Sequence, residues 1–229
     1  MEINSHIWKT LLIIIGFPIL YMIFGMTPIA TELFAEKNLD YYIPFWGGII
    51  ILHWVSVFVV TQLLKSQGKT LADIGYKLSR KGTLRFIGGY VLVALLVLVG
   101  VEVILSNVEL DSSQFGSISS LIPKTTSHRI FFILLVFSTG FCEEIVYRGF
   151  AITQLEKIGL NKWIALTIAA FIFVGIHGGN AYSNRFLFLF GGGVMFGLVF
   201  LFSKRLLPSI LIHLAINLSA MMAIFQLIK

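Results

Sequence analysis

The chain is poor in the residues from which most catalytic centres and most soluble surfaces are built. A single cysteine, Cys142, excludes an internal disulfide and a cysteine-rich metal centre. There are three aspartates, Asp40, Asp73 and Asp111, and all fall outside the apolar runs, which removes a site of paired aspartates within a membrane. No His-Glu-x-x-His and no Gly-x-Ser-Gly occurs, so a zinc helix of that type and a serine of that type are absent. Charged residues make up only 12% of 229, against 57% hydrophobic and a mean hydropathy of +0.92, so a soluble globule of this size could not be coated. The net charge of +6 and pI of 9.5 do not call for nucleic acid, because a multi-span protein accumulates Lys and Arg in its cytoplasmic loops.

What is present is a series of apolar runs, at Ile7–Met26, Ile43–Leu64, Phe86–Leu105, Ile130–Phe150, Trp163–His177, Phe186–Phe202 and Leu207–Ile228. They predict an all-α fold: a polytopic membrane bundle of about seven transmembrane helices in one domain over residues 1–229. The first run exceeds a signal-peptide core, and Pro28-Ile29-Ala30 is a poor cleavage site, so it reads as a retained span. With the N-terminus inside, twelve Lys and Arg fall on inner segments and five on outer ones, which predicts a cytoplasmic N-terminus. Between the second and third spans, Lys65–Arg85 interleaves Leu71, Ile74, Tyr76 and Leu78 with basic residues, and reads equally as a solvated loop or an interfacial helix. Gly193 and Gly197 on the sixth run have the Gly-x-x-x-Gly spacing of close helix approach, expected within the chain rather than at a dimer face.

An ionisable group in lipid costs about 2.5–3.5 kcal/mol, so the few inside the runs mark the chemistry. Eight of eleven acids lie in loops or termini; Glu102 sits near the outer end of the third run, within reach of the interface. Glu143 and Glu144 fall inside the fourth. Arg148 is four residues after Glu144, on the same helical face, and can neutralise it. Glu143 is turned about 100° away and needs another partner; a lone carboxyl in a low-dielectric site is a candidate general base or acid. Among the histidines, His6 and His128 flank spans and read as interface residues, and His53, beside Trp54, reads as a packed or hydrogen-bonded helix residue. His177 ends the fifth run one turn after Phe173, and His213 shares a face with Asn217 on the seventh. At 1.5 Å per residue, Glu143 and His177 each lie ~22 Å above the inner ends of their helices, and His213 and Asn217 ~10 and ~17 Å above theirs, heights that helix tilt reconciles. Cys142, small and apolar on a helix, reads as packing.

Glu143-Glu144-Ile145-Val146-Tyr147-Arg148, Phe173-Val174-Gly175-Ile176-His177 and His213-Leu214-Ala215-Ile216-Asn217 follow one another on three separate apolar segments. The ordered set resembles the CPBP family of intramembrane proteases (CAAX prenyl endopeptidase and bacteriocin-processing, also called Abi), with its EExxxR, FxxxH and HxxxN/D motifs. Tyr147 departs from the Phe more usual before the Arg. The resemblance covers the C-terminal half of the chain and implies a glutamic-type endopeptidase with a catalytic core near residues 130–222. In it, Glu143 and His177 activate a water, neutral His213 and Asn217 stabilise the oxyanion, and Glu144, Arg148 and Phe173 support them, without cofactor or metal. It also implies a peptide or membrane-associated protein substrate and, with a short chain, a bacterial cell membrane. Two alternatives stay open: a zinc protease using the same His and Glu as ligands, and a non-catalytic immunity or scaffold protein that binds a peptide or partner helix in the same polar cavity. Substrate and oligomeric state are not legible.

Overall fold

The computed structural model describes residues 2–25, 41–77, 122–179 and 181–227 and the isolated positions 88, 92, 96 and 99. The third expected span and Glu102 therefore lie outside the described residues, apart from those few positions. The described chain is helical: α1 Glu2–Gly25, α2 Tyr42–Ser66, a 3-10 turn at Leu71–Ile74, α3 Thr126–Glu143, a π-helical stretch Glu144–Ile152, α4 Thr153–Lys157, α5 Lys162–Gly175, α6 Ala181–Asn184, α7 Phe186–Ser203 and α8 Leu206–Leu227. Five helical stretches, Ile7–Gly25, Tyr42–Ser66, Thr126–Lys157, Phe186–Ser203 and Leu206–Phe225, are long and apolar enough to cross a membrane, so the protein is a helical membrane bundle.

The bundle is apolar outside as well as inside. Trp8, Phe58, Leu187, Phe188 and Phe202 are exposed, as lipid-facing side chains are, while one continuous cluster of Ile, Leu, Val and Phe from α1, α2, the π stretch, α5, α7 and α8 forms the core. At its centre runs the continuous rod from Thr126 to Lys157. The π stretch in that rod is wholly buried and touches α1, α2, α5, α7, α8 and the 71–74 turn.

Local signals set the element ends. Thr125 caps α3 by accepting from the His128 amide at 3.2 Å, and Asn161 caps α5 by accepting from the Trp163 amide at 2.9 Å. Gly159, at φ +98°, ends α4 with the left-handed turn that reverses the chain into α5. Gly193 faces the Cα of Ala170, where an added Cβ would stand at 3.2 Å, and Gly197 faces Leu166, so the paired glycines join α7 to α5 within the chain as the sequence predicts.

Three features differ from the sequence reading. Residues 71–74 form one 3-10 turn whose Ile74 is buried, and an added Cβ on Gly149 would stand 2.9 Å from the Ile74 carbonyl. Over its described part the segment is anchored to the bundle through Ile74 and forms a 3-10 turn in place of an interfacial helix. His128 is buried and stacks on Tyr42 at 4.2 Å, so it is a packing residue. Arg148 is the largest fully buried side chain, so it belongs to the bundle interior and leaves the inner-side count at eleven against five.

Candidate active site

The rod carries Glu143 at the junction between its α and π portions. A π stretch is a wider helix than the α-helix and is commonly found at functional sites. Glu143 ends the α portion and Glu144 opens the π portion, and the two carboxylates point in different directions. Glu144 points to α8 and is fully buried. Its Oε1 lies 3.1 Å from an Arg148 guanidinium nitrogen and 2.9 Å from His213 Nδ1, and its Oε2 accepts from the Ser209 hydroxyl. Arg148 in turn lies over the face of Phe173, its guanidinium carbon 4.0 Å from the ring centroid, and 5.1 Å from that of Phe196. Cation–π contact thus serves the nitrogens that have no oxygen partner. The i,i+4 pair read from the sequence is present, with one cation held between a carboxylate and two aromatic rings.

Glu143, 5% exposed, points to α2. Its Oε1 lies 3.0 Å from His53 Nε2, and the other nitrogen of that ring, Nδ1, lies 2.8 Å from the Ile49 carbonyl. Its Oε2 has no hydrogen-bond partner among the described residues; His213 Nε2 stands 3.6 Å from it. His177 also acts electrostatically on Glu143. The His177 Nδ1 donates to the Phe173 carbonyl at 3.1 Å, since a carbonyl can only accept, which leaves its Nε2 lone pair free. By the same reasoning His213 donates from Nδ1 to the Glu144 carboxylate, so its neutral ring has no hydrogen on Nε2. The sequence expectation of a neutral His213 donor therefore meets a physical objection: the hydrogen it would give is committed to Glu144.

Aromatic rings wall the cluster. Phe173 lies 4.9 Å from the His177 ring and 6.1 Å from that of His213, and Phe196 stacks on His213 at 4.5 Å. Tyr21 of α1 covers His53 at 4.8 Å. Asn217 stands one turn further along α8 than His213, and its amide donates to Thr139 Oγ1 at 3.2 Å, one turn before Glu143 on the rod. The structure thus brings Glu143, Glu144, Arg148, Phe173, His177 and His213 into one cluster and sets Asn217 at its edge. Cys142 is buried in the core.

The cluster's depth follows from α5. Its 14 residues span ~21 Å, less than the ~30 Å hydrocarbon layer. With Lys162 set at one membrane surface, the turn that carries His177, closed by Gly178 at φ +90°, would stop short of the other. Irregular backbone at that depth persists only where it is buried in protein or lines a wet cavity. Sequence reading missed His53, Ser209 and Thr139. Ser209 was findable as the residue four before His213 on the same face, and His53 as an ionisable side chain inside an apolar run. Among the described residues no three His, Cys, Asp or Glu side chains form a group that could hold a metal ion.

A buried carboxylate with one oxygen free of hydrogen bonds among the described residues, set among histidines, has the chemistry of a general base toward a water. Residues 125–219 match the family model described as type II CAAX prenyl endopeptidase Rce1-like, a match that supports a CPBP/CAAX-type intramembrane protease. No curated protein and no solved structure matches the chain.

Proposed function

We propose that the protein is a glutamic-type intramembrane endopeptidase that hydrolyses a peptide bond of a membrane-associated substrate with a water activated by Glu143 and His177. The observation that carries this reading is the unpartnered Oε2 of Glu143: one oxygen is fixed on His53, and the other, buried and without a hydrogen-bond partner among the described residues, is left to hold a water together with the bare Nε2 of His177. As the water oxygen bonds to the scissile carbonyl carbon, its proton passes to Glu143 Oε2 and the π electrons move onto the carbonyl oxygen. Oε2 then hands the proton to His213 Nε2, 3.6 Å away, which makes that ring a cation able to donate to the oxyanion beside the Asn217 amide. When the C–N bond breaks, the same proton leaves with the amine. Glu144, Arg148 and Ser209 hold His213 in the required orientation.

In this reading the catalytic machinery occupies about residues 130–222 of a single membrane-embedded domain, and eleven basic residues assigned to inner segments against five to outer ones support a cytoplasmic N-terminus. Cleavage is tested on the purified full chain with a prenylated CAAX peptide and an unprenylated membrane-associated peptide, alongside bound-metal analysis. Glu143→Gln and His177→Ala should each lower kcat by about 10²–10⁴-fold, with the protein still folded. Full activity in both variants, or stoichiometric zinc whose removal stops cleavage, would overturn the mechanism; failure to cleave either peptide with the wild type would favour a binding role.

A further inference from the structure

The charge of the buried cluster does not close on the family motifs alone. Glu143 and Glu144 are two carboxylates at 5% and 0% exposure, and Arg148 supplies one permanent cation, which sits on Glu144. A second buried carboxylate without a counter-charge in a low-dielectric interior carries a desolvation penalty of several kcal/mol. The groups facing Glu143 are His53 from α2, His213 from α8, His177 after α5 and the Tyr21 and Tyr147 rings. Of the three imidazoles, His53 alone stands at hydrogen-bond distance, 3.0 Å, and its Nδ1 already carries a hydrogen for the Ile49 carbonyl. A contact between Nε2 and a carboxylate oxygen at that distance needs a proton between them, since two lone pairs repel. His53 lies outside residues 125–219, so nothing in the matched segment provides this group.

We propose that His53, resting as an imidazolium, is the counter-cation and positioning residue of Glu143. It keeps the carboxylate ionised within the membrane and turns Oε2 toward the water. This inference rests on the endopeptidase reading above. The balance through the reaction is simple. With His53 and Arg148 positive and both glutamates negative, the cluster is neutral at rest. When Glu143 takes the water proton, its negative charge reappears on the substrate's carbonyl oxygen, and His53 keeps its proton throughout. Tyr21, its ring tilted against that of His53 at 4.8 Å, shields the pair on its α1 side, so the N-terminal half of the chain is a working wall of the site.

Two measurements on the full chain in lipid nanodiscs test this. In the peptide assay, His53→Leu should lower kcat about 100-fold and His53→Gln, which keeps a donor to Oε1 without the charge, about 10-fold, with KM within about twofold in both. A loss confined to folding would instead reduce the active fraction equally with its thermal stability. Activity within twofold of wild type in both His53 variants, with Glu143→Gln inactive, would overturn this inference and leave the endopeptidase reading standing. An active Glu143→Gln would overturn both. Independently of substrate, ¹⁵N-histidine NMR should show a protonated His53 Nε2 in the wild type that is lost in Glu143→Gln; a bare Nε2 in the wild type would refute the proposal.

Discussion

Replacing Arg148 by methionine keeps most of the side-chain volume and removes the one permanent cation from the centre of the bundle. Glu144, fully buried, would then keep only the Ser209 hydroxyl and His213 Nδ1 as donors. Breaking a buried pair by removing one partner costs about 3–5 kcal/mol, because the other charge is stranded. Loss of the guanidinium from the Phe173 and Phe196 faces adds about 1 kcal/mol. At about 2–4 °C per kcal/mol for a chain of this size, the midpoint of thermal unfolding in mild detergent should fall by about 8–24 °C. Glu144→Gln alone strands the guanidinium and should cost a similar amount. The double variant Glu144→Gln/Arg148→Met strands neither, so it should be less destabilised than the sum of the singles by about 2 kcal/mol or more. Additive effects, or an Arg148→Met midpoint within about 2 °C of wild type, would refute the claim that this pair anchors the rod against α8.

Other consequences can be checked one at a time. Gly193→Ala should push α7 from α5, since its Cβ would meet the Ala170 main chain at 3.2 Å, and cost about 1–3 kcal/mol in unfolding experiments without altering oligomeric state by size-exclusion chromatography. Thr139→Val removes the acceptor of the Asn217 amide and should lower kcat several-fold, up to about 10-fold, with little change in thermal stability; an unchanged kcat would show that Asn217 needs no anchoring there. The amide and hydroxyl of Thr70 hold the Asp73 carboxyl below its ordinary value of 3.8. A depressed carboxyl stabilises the fold fully above its unfolded value and loses that contribution as pH falls through the folded value. Amide exchange over residues 71–74 should therefore quicken below about pH 4 and already at neutral pH in Asp73→Asn.

The spans were legible because bilayer thickness imposes run lengths that composition alone reveals, and the short α5 was found at nearly its observed limits. The motif residues were legible because ionisable groups are rare in lipid, and the i,i+4 rule correctly joined Glu144 to Arg148. That rule sees only neighbours on one helix. It could not show that Glu143, left without a partner, meets His53 across 90 residues of sequence, nor that His213 bridges both glutamates. The π-helical stretch carries no periodicity signal distinct from an α-helix, yet it shapes the junction at which the two carboxylates separate. The burial of His128 was not legible because its stacking partner Tyr42 lies on another helix.

The central claim is that Glu143 and His177 hold the attacking water between them. The direct test is an experimental map of the full chain in lipid, at a resolution that shows ordered solvent. The account predicts an isolated oxygen at about 2.6–3.2 Å from both Glu143 Oε2 and His177 Nε2. A metal ion at that place, or a Glu143 Oε2 hydrogen-bonded to protein groups with His177 facing lipid, would contradict it.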